Sequence, residues 1–581
     1  MRQKVIFLWV LFLSPTITSC NTEQKKAEYQ PVFDLTDPEG NPLDIPCSNP
    51  QPPNTYKVPT PADWPTIRDM KMGALPSGAS VTFRVFAPTA QTVEVVTYDT
   101  AAQNPLNPSA AYPMTRDGVG GAGFGVWTVT LDTGKTRAPS QSGSGRIYYR
   151  YRLNCMRNYE NKPMKERERY VPDPYSLASA GSNGHSIIID PNWTVNTVFS
   201  GWNNATDDIA SDISGWFSGS TRPKTADYIV YELHVDDMTG STSCLQSFTG
   251  SSICKNNLQS YYTGNNTLMT AIGATSPDSL SGKYTGLEAM ASYLSSDLGI
   301  NAVHIMPLHE ASNDNKDNPE GYGWGYLPSL FFAPESSYSS YCVRTSANEK
   351  CVYDDNRAGY QVLELKRLIK RLHAQGIAVI LDIVLNHTSN AFNYLYWIEP
   401  YGRYYFRTNG LNWSNIGTGN HIFDDRNQRP FAYKYILDNV KYWVKHYHVD
   451  GFRFDLAVGT SEQTLRDIQN MLNDGNTPAS WTTTVPPSAT ETSMQIDTEY
   501  LVGGGSYANN GQTTDNFGHT IKLPNFLTGE NWLGAQRHGF MVQSDWTTPN
   551  FAGQRSSDYR GFSQWNDYFR ESLKRFIQGN T

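Results

Sequence analysis

Between Tyr228 and Gly529, short apolar runs alternate with amphipathic stretches, and this alternation constrains the fold more than any other feature of the chain. The strand-like runs fall at Tyr228 to Leu233, Ala302 to Met306, Ala378 to Val384, Gly451 to Phe454 and Phe526 to Gly529. Helix-periodic segments at Leu363 to Gln375 and Tyr433 to His446 precede two of them. Strands linked by crossover helices pair in parallel, so the pattern predicts an α/β sheet and, at this length, a (β/α)8-type TIM barrel over residues 223–581.

Upstream the period drops to two. Val81 to Pro88, Thr92 to Val96, Val126 to Val129 and Ile147 to Tyr151 are separated by turn residues, as short antiparallel strands are. A β-sandwich is expected over residues 76–195. Residues 21–75, rich in Pro, Asn and charge, read as a tether with an irregular lead-in, and the Gly/Ser/Asn/Asp-rich stretch 196–222 reads as a linker. At 581 residues, 39% of them hydrophobic, the chain is long enough for two or more full cores. A net charge of −8 argues against a phosphate-binding surface, so nucleic acid is not expected as a partner. The 35 Tyr and 14 Trp offer flat faces with a polar handle, suited to stacking on sugar rings and equally to packing.

Arg2 and Lys4 precede an apolar run from Val5 to Leu13, which is too short to span a membrane and reads as a secretory signal. The Ile17-Thr18-Ser19-Cys20 ending resembles a bacterial lipobox. This resemblance implies cleavage before Cys20, acylation of Cys20, and an exported, lipid-anchored protein of the cell envelope; an ordinary signal peptide is the alternative. The six other cysteines, an even number, suit an oxidising compartment. Cys244 and Cys254, and Cys342 and Cys351, are close enough in sequence to staple local loops, leaving Cys47 with Cys155. Connectivity stays open at this level, and the spacing suggests no zinc site.

The chemistry-bearing residues gather at strand ends. Arg453 and Asp455 lie two apart in Asp450-Gly451-Phe452-Arg453-Phe454-Asp455, where i and i+2 of a strand share a face. The guanidinium can then hold Asp455 ionised as a nucleophile. Glu530 ends a second apolar run, Phe526 to Gly529. Two carboxyls delivered by strand ends to one barrel mouth suggest glycoside hydrolysis. Taken singly, an ion pair and a capping carboxylate account for them as well.

Ordered blocks then resemble the α-amylase superfamily of glycoside hydrolases. Leu381-Asp382-Ile383-Val384-Leu385-Asn386-His387 resembles its first signature, Gly451 to Asp455 its nucleophile signature, and Thr528-Gly529-Glu530-Asn531-Trp532 its acid/base signature. Gly323-Trp324-Gly325-Tyr326 resembles a loop of the pullulanase/isoamylase branch, and Tyr231 to Val235 and Trp565 to Arg570 resemble blocks near its first and sixth barrel strands. The sandwich is similar to the starch-binding-type module that precedes the barrel in debranching enzymes.

The resemblance implies Asp455 as nucleophile and Glu530 as acid/base in a retaining mechanism. It also implies that Arg453 orients Asp455, that His387 and Asp382 hold hydroxyls or order the site, and that Tyr326 stacks on the sugar beside the cut. Trp532 would line a subsite or sit on the rim, and Asn386 would support a calcium or a loop. The chemistry itself needs no cofactor.

Two departures stand out. The family's third carboxylate, in a His-Asp block on strand seven, has no counterpart before Thr581, which gives the expectation of a barrel that is C-terminally incomplete. The polar interval from Thr460 to Ile521 is also longer than usual between the second and third signatures. The sequence therefore points to an α-glucan hydrolase cutting α-1,6 branch linkages. An α-1,4-cleaving amylase, a glucan transferase and an inactive glucan-binding lipoprotein remain as alternatives.

Overall fold

The computed structural model describes residues 61–118, 123–154, 164–193, 228–240, 253–312, 323–344, 351–401, 403–409, 412–413 and 418–461, most of 463–471, the strand segments 526–529 and 563–564, and residues 59 and 199. The signal segment with Cys20, the linker 196–222 apart from residue 199, and Cys47, Cys155 and Cys244 lie outside the described residues.

Nine strands form the N-terminal unit: β1 (Gly73–Ser77), β2 (Ser80–Phe86), β3 (Thr92–Tyr98), β4 (Ala110–Pro113), β5 (Thr115–Arg116), β6 (Val126–Asp132), β7 (Tyr148–Asn154), β8 (Tyr170–Val171) and β9 (Ser186–Ile187). They make two antiparallel sheets, ordered β1-β2-β6-β5 and β4-β3-β7-β8, with β9 also on β7. In β2 the residues alternate between buried and half-buried, as expected of a strand with one face on a core. Phe83 of one sheet meets Tyr149 of the other edge-on at 5.1 Å, closing the sandwich.

The expected tether contributes more than a lead-in. Helix Trp64–Asp69 and strand β1 fall partly or wholly within residues 21–75. Trp64 and Ile67 are buried, with Trp64 packed 5.2 Å from Tyr433, so two apolar residues one helical turn apart suffice to dock this segment.

The second part is built on a six-stranded sheet whose neighbours are all parallel and in chain order: β10 (Val230–Leu233), β11 (Ala302–Ile305), β16 (Ala378–Ile383), β19 (Gly451–Phe454), β20 (Phe526–Gly529) and β21 (Ser563–Gln564). The helices expected before β16 and β19 run from Tyr360 to Ala374 and from Pro430 to Tyr447, each longer than its periodic core. Buried strands of this kind read as continuous apolar runs, and β16 is buried at every position.

Between β11 and β16 the chain makes two antiparallel pairs, β12 (His309–Ala311) with β13 (Pro328–Pro334), and β14 (Cys342–Arg344) with β15 (Cys351–Tyr353). A disulfide joins Cys342 to Cys351, as their spacing allowed. Cys254 is also disulfide-bonded. A last small pair, β17 (Thr408–Asn409) with β18 (Asn412–Trp413), precedes β19.

Candidate active site

Neighbouring strands β16 and β19 set Asp382 opposite Arg453 in the register. Both side chains emerge at the C-terminal ends of the strands, the end where parallel α/β sheets place their chemistry. Arg453 Nη1 donates to Asp382 Oδ1 at 2.9 Å and Oδ2 at 3.1 Å, and to Asp455 Oδ1 at 3.0 Å. The shared face of Arg453 and Asp455 is thus realised, with one guanidinium nitrogen bridging two carboxylates. Asp382 is 0% exposed, whereas the Asp455 side chain keeps 13% of its surface. Of the two, Asp455 is the one a substrate can reach.

Asp382 does not meet the solvent that a sugar hydroxyl would come from. Tyr326 Oη donates to its Oδ2 at 2.7 Å, and His304 Nε2 stands 3.3 Å from the same oxygen, within ion-pair range but off the line of a hydrogen bond. Burial pushes the Asp382 carboxyl up, but Arg453, His304 and Tyr326 outweigh it and hold it below the ordinary value. The contacts of Asp382 are with Arg453, Tyr326 and His304.

His387 is equally inward. Its Nε2 lies 2.8 Å from the Tyr326 carbonyl and its Nδ1 pairs with Asn386 Oδ1. Burial pushes this imidazole down to about 4, so it is neutral at working pH. Tyr326 is half-buried, its phenol pushed up by burial and by Asp382. Its ring lies 5.6 Å from the Arg453 guanidinium carbon, so at most the other face can meet a sugar.

Asn386 takes the loop role. Its Nδ2 donates to the Asp455 carbonyl at 2.5 Å and reaches the Leu456 carbonyl at 3.4 Å. Leu456 has φ 39°, a left-handed conformation unusual for a non-glycine residue, so the amide clamps a strained turn directly after the nucleophile candidate. Both ends of the Asn386 amide are engaged, Nδ2 by the turn carbonyls and Oδ1 by His387 Nδ1. Among the described residues no group of three or more His, Cys, Asp or Glu side chains could hold a metal ion.

Two residues near the site, His304 and His421, escaped the sequence reading, and Trp324 was named there without a role. His304 sits inside an apolar strand run, where a histidine reads as core. His421 Nε2 lies 2.6 Å from the Gly459 carbonyl and steadies the segment after Asp455, yet it is 38 residues away in sequence. Trp324 is 57% exposed, two residues from Tyr326. Gly325 between them has φ 84°, and a Cβ there would meet the Pro307 carbonyl at 2.8 Å, so the turn that presents Trp324 and Tyr326 requires glycine. Glu530 and Trp532 lie outside the described residues, though β20, whose Gly529 precedes Glu530, pairs with β19 at Phe454.

Residues 71–176 match carbohydrate-binding module 48, the isoamylase N-terminal domain. Among curated relatives, the isoamylase of Pseudomonas amyloderamosa is 25% identical over 67% of this chain and 48% of its own. The pullulanase of Bacillus subtilis is 35% identical over 28% of this chain and 20% of its own, and a GlgX homologue of Mycobacterium bovis 33% identical over 35% and 27%. The chain therefore spans about half or less of the length of these relatives. The apo pullulanase structure from Paenibacillus barengoltzii is similar at 25% identity and TM-score 0.48, covering 69% of this chain and 50% of that one. The chain is thus similar to debranching-type enzymes, pullulanase, isoamylase and GlgX, and its residues 71–176 match the module that carries the isoamylase N-terminal domain's name.

Proposed function

We propose that this protein hydrolyses α-1,6 branch linkages of pullulan-, starch- or glycogen-like α-glucans by a retaining double displacement. The observation that carries this reading is the Arg453 bridge, which leaves Asp455 as the exposed member of two carboxylates at the mouth of a parallel sheet. Asp455 attacks the anomeric carbon while Glu530 protonates the departing glycosidic oxygen, and an ester of Asp455 forms. Water then attacks that ester, Glu530 takes its proton, and Asp455 leaves unchanged. Such chemistry calls for carboxyls roughly 5 to 5.5 Å apart. Arg453 holds Asp455 in its ionised form, and Asn386 fixes the turn that aims it. A (β/α)-type barrel built on the six described strands, and export with acylation at Cys20, belong to the same reading.

Incubation of the full chain with pullulan and with amylose tests the linkage. Maltotriose from pullulan is expected. Reducing ends from amylose alone would replace debranching by α-1,4 cleavage, and longer chains built from amylose would indicate a transferase. Retention on starch with no bond cut would leave only a glucan-binding protein. Metabolic labelling with palmitate, lost in Cys20→Ser, tests the anchor.

A further inference from the structure

We infer that His304 is a positioning residue for Asp455, acting through Asp382 and Arg453. The inference rests on the assignment of Asp455 made above and extends it to a strand that carries none of the signature blocks.

Three groups converge on the buried Asp382 carboxylate: Arg453 from β19, the Tyr326 hydroxyl from the loop before β13, and His304 from β11. Asp382 and Asp455 compete for one donor, Arg453 Nη1. Whatever share of the Asp382 charge is met from the other side leaves more of Nη1 for Asp455. Tyr326 and His304 both meet it at Oδ2, so His304 sets how far Arg453 leans toward the nucleophile. Asp382, Arg453 and His304 are all buried, and in that setting a contact at 3.3 Å is felt strongly.

Other ionisable groups near this network are His309 on β12, which interacts electrostatically with Asp382 and with His387, and Glu232, which stands beside His304 in the β10–β11 register with its side chain exposed. None of them touches Asp382 in the way His304 does.

The experiment compares wild type with His304→Leu, His304→Gln, Asp382→Asn and the His304→Leu/Asp382→Asn double variant. Thermal unfolding reads the contact without turnover. The Tm loss of the double variant is expected to be smaller than the sum of the single losses, because the second substitution removes a partner already absent. Additive losses would overturn the inference whatever the activity.

On pullulan, His304→Leu is expected to lower kcat about tenfold with KM within twofold of wild type. The acid limb of its kcat/KM profile should move to higher pH, because Arg453 is drawn to Asp382 and Asp455 ionises less readily. His304→Gln, which places a polar N–H group on the Oδ2 side, should recover most of kcat and return the acid limb toward wild type. A kcat loss that Gln fails to rescue, or one with an unmoved acid limb, would reduce His304 to packing and sink the positioning role. Wild-type inactivity with non-additive Tm losses would instead overturn the hydrolytic reading and leave the His304–Asp382 contact standing.

Discussion

Asp455 and Asn386 show how much of the site depends on single side chains. By the proposed mechanism Asp455→Asn keeps the shape but cannot form the glycosyl ester, so turnover on pullulan should fall roughly 10⁴-fold or more with an unchanged circular dichroism spectrum. Full turnover would show that the nucleophile lies elsewhere. Asn386→Ala removes the clamp on a left-handed turn, which should cost about 1–3 kcal/mol in denaturant unfolding and about a hundredfold in kcat as the aim of Asp455 loosens.

Titration provides a third check at this scale. Burial pushes His309 down to about 4 from 6.5, so its neutral form favours the fold above pH 6.5 and that contribution drains away as pH falls toward 4. Burial pushes Asp173 the other way, up to about 6 from 3.8, against the hydroxyls of Tyr149 and Tyr151 that hold its carboxylate. Its contribution is present below 3.8 and drains away as pH rises toward 6. The Tm deficit of His309→Leu should therefore shrink from pH 7 to pH 4, while Asp173→Asn should gain on wild type from pH 4 to pH 7. Each change is on the order of 3 kcal/mol across its window. Parallel profiles for wild type and variant would refute the assignment.

Among the elements, helix Tyr360–Ala374 and strand β16 were legible because their apolar periods are long and uninterrupted. Their limits were not. The helix begins three residues before its periodic core, at a Gly359 N-cap with φ 87°, where the sequence shows no Ser, Thr or Asp cap. A Cβ at Gly359 would come within 2.7 Å of Ile189 Cδ1 and 2.9 Å of Trp193 Cζ3, so contacts with the end of the sandwich unit set this start. Gly359→Ala should lower stability by roughly 1–3 kcal/mol, read as a lower urea midpoint with unchanged slope. A neutral result would mean the contact yields. Helix Trp64–Asp69 was missed because six residues carry too little period to see, although burial of Trp64 and Ile67 fixes it.

At the scale of the molecule, the sandwich is fastened to the α/β part by buried polar and aromatic contacts. The Thr89 hydroxyl donates to Glu399 at 2.8 Å and its backbone N–H at 3.1 Å, Tyr148 Oη reaches Asp355 at 2.7 Å, and Phe86 stacks on Phe431 at 4.0 Å. Among the described residues, no large hydrophobic side chain is fully exposed on the sandwich. Fastening is the role its contacts support. Thr89→Val, which deletes a hydroxyl beside a buried carboxylate, should cost about 1–3 kcal/mol while the two parts still unfold in one transition. A split into two transitions would show that they are only loosely joined.

The sequence by itself determined the class of each part and the face that Arg453 and Asp455 share. Periods of two and 3.6 residues are local consequences of backbone geometry, and the spacing of Arg453 and Asp455 needs only a strand to become a shared face. Tertiary structure alone decided which carboxylate is exposed, that Asn386 closes a turn and that His304 backs Asp382. These properties come from side chains tens of residues apart brought together by strand register. Burial, which sets the reach of Asp455, and the partners that keep Asp382 ionised against it belong to the packed molecule and are written in no local run of residues.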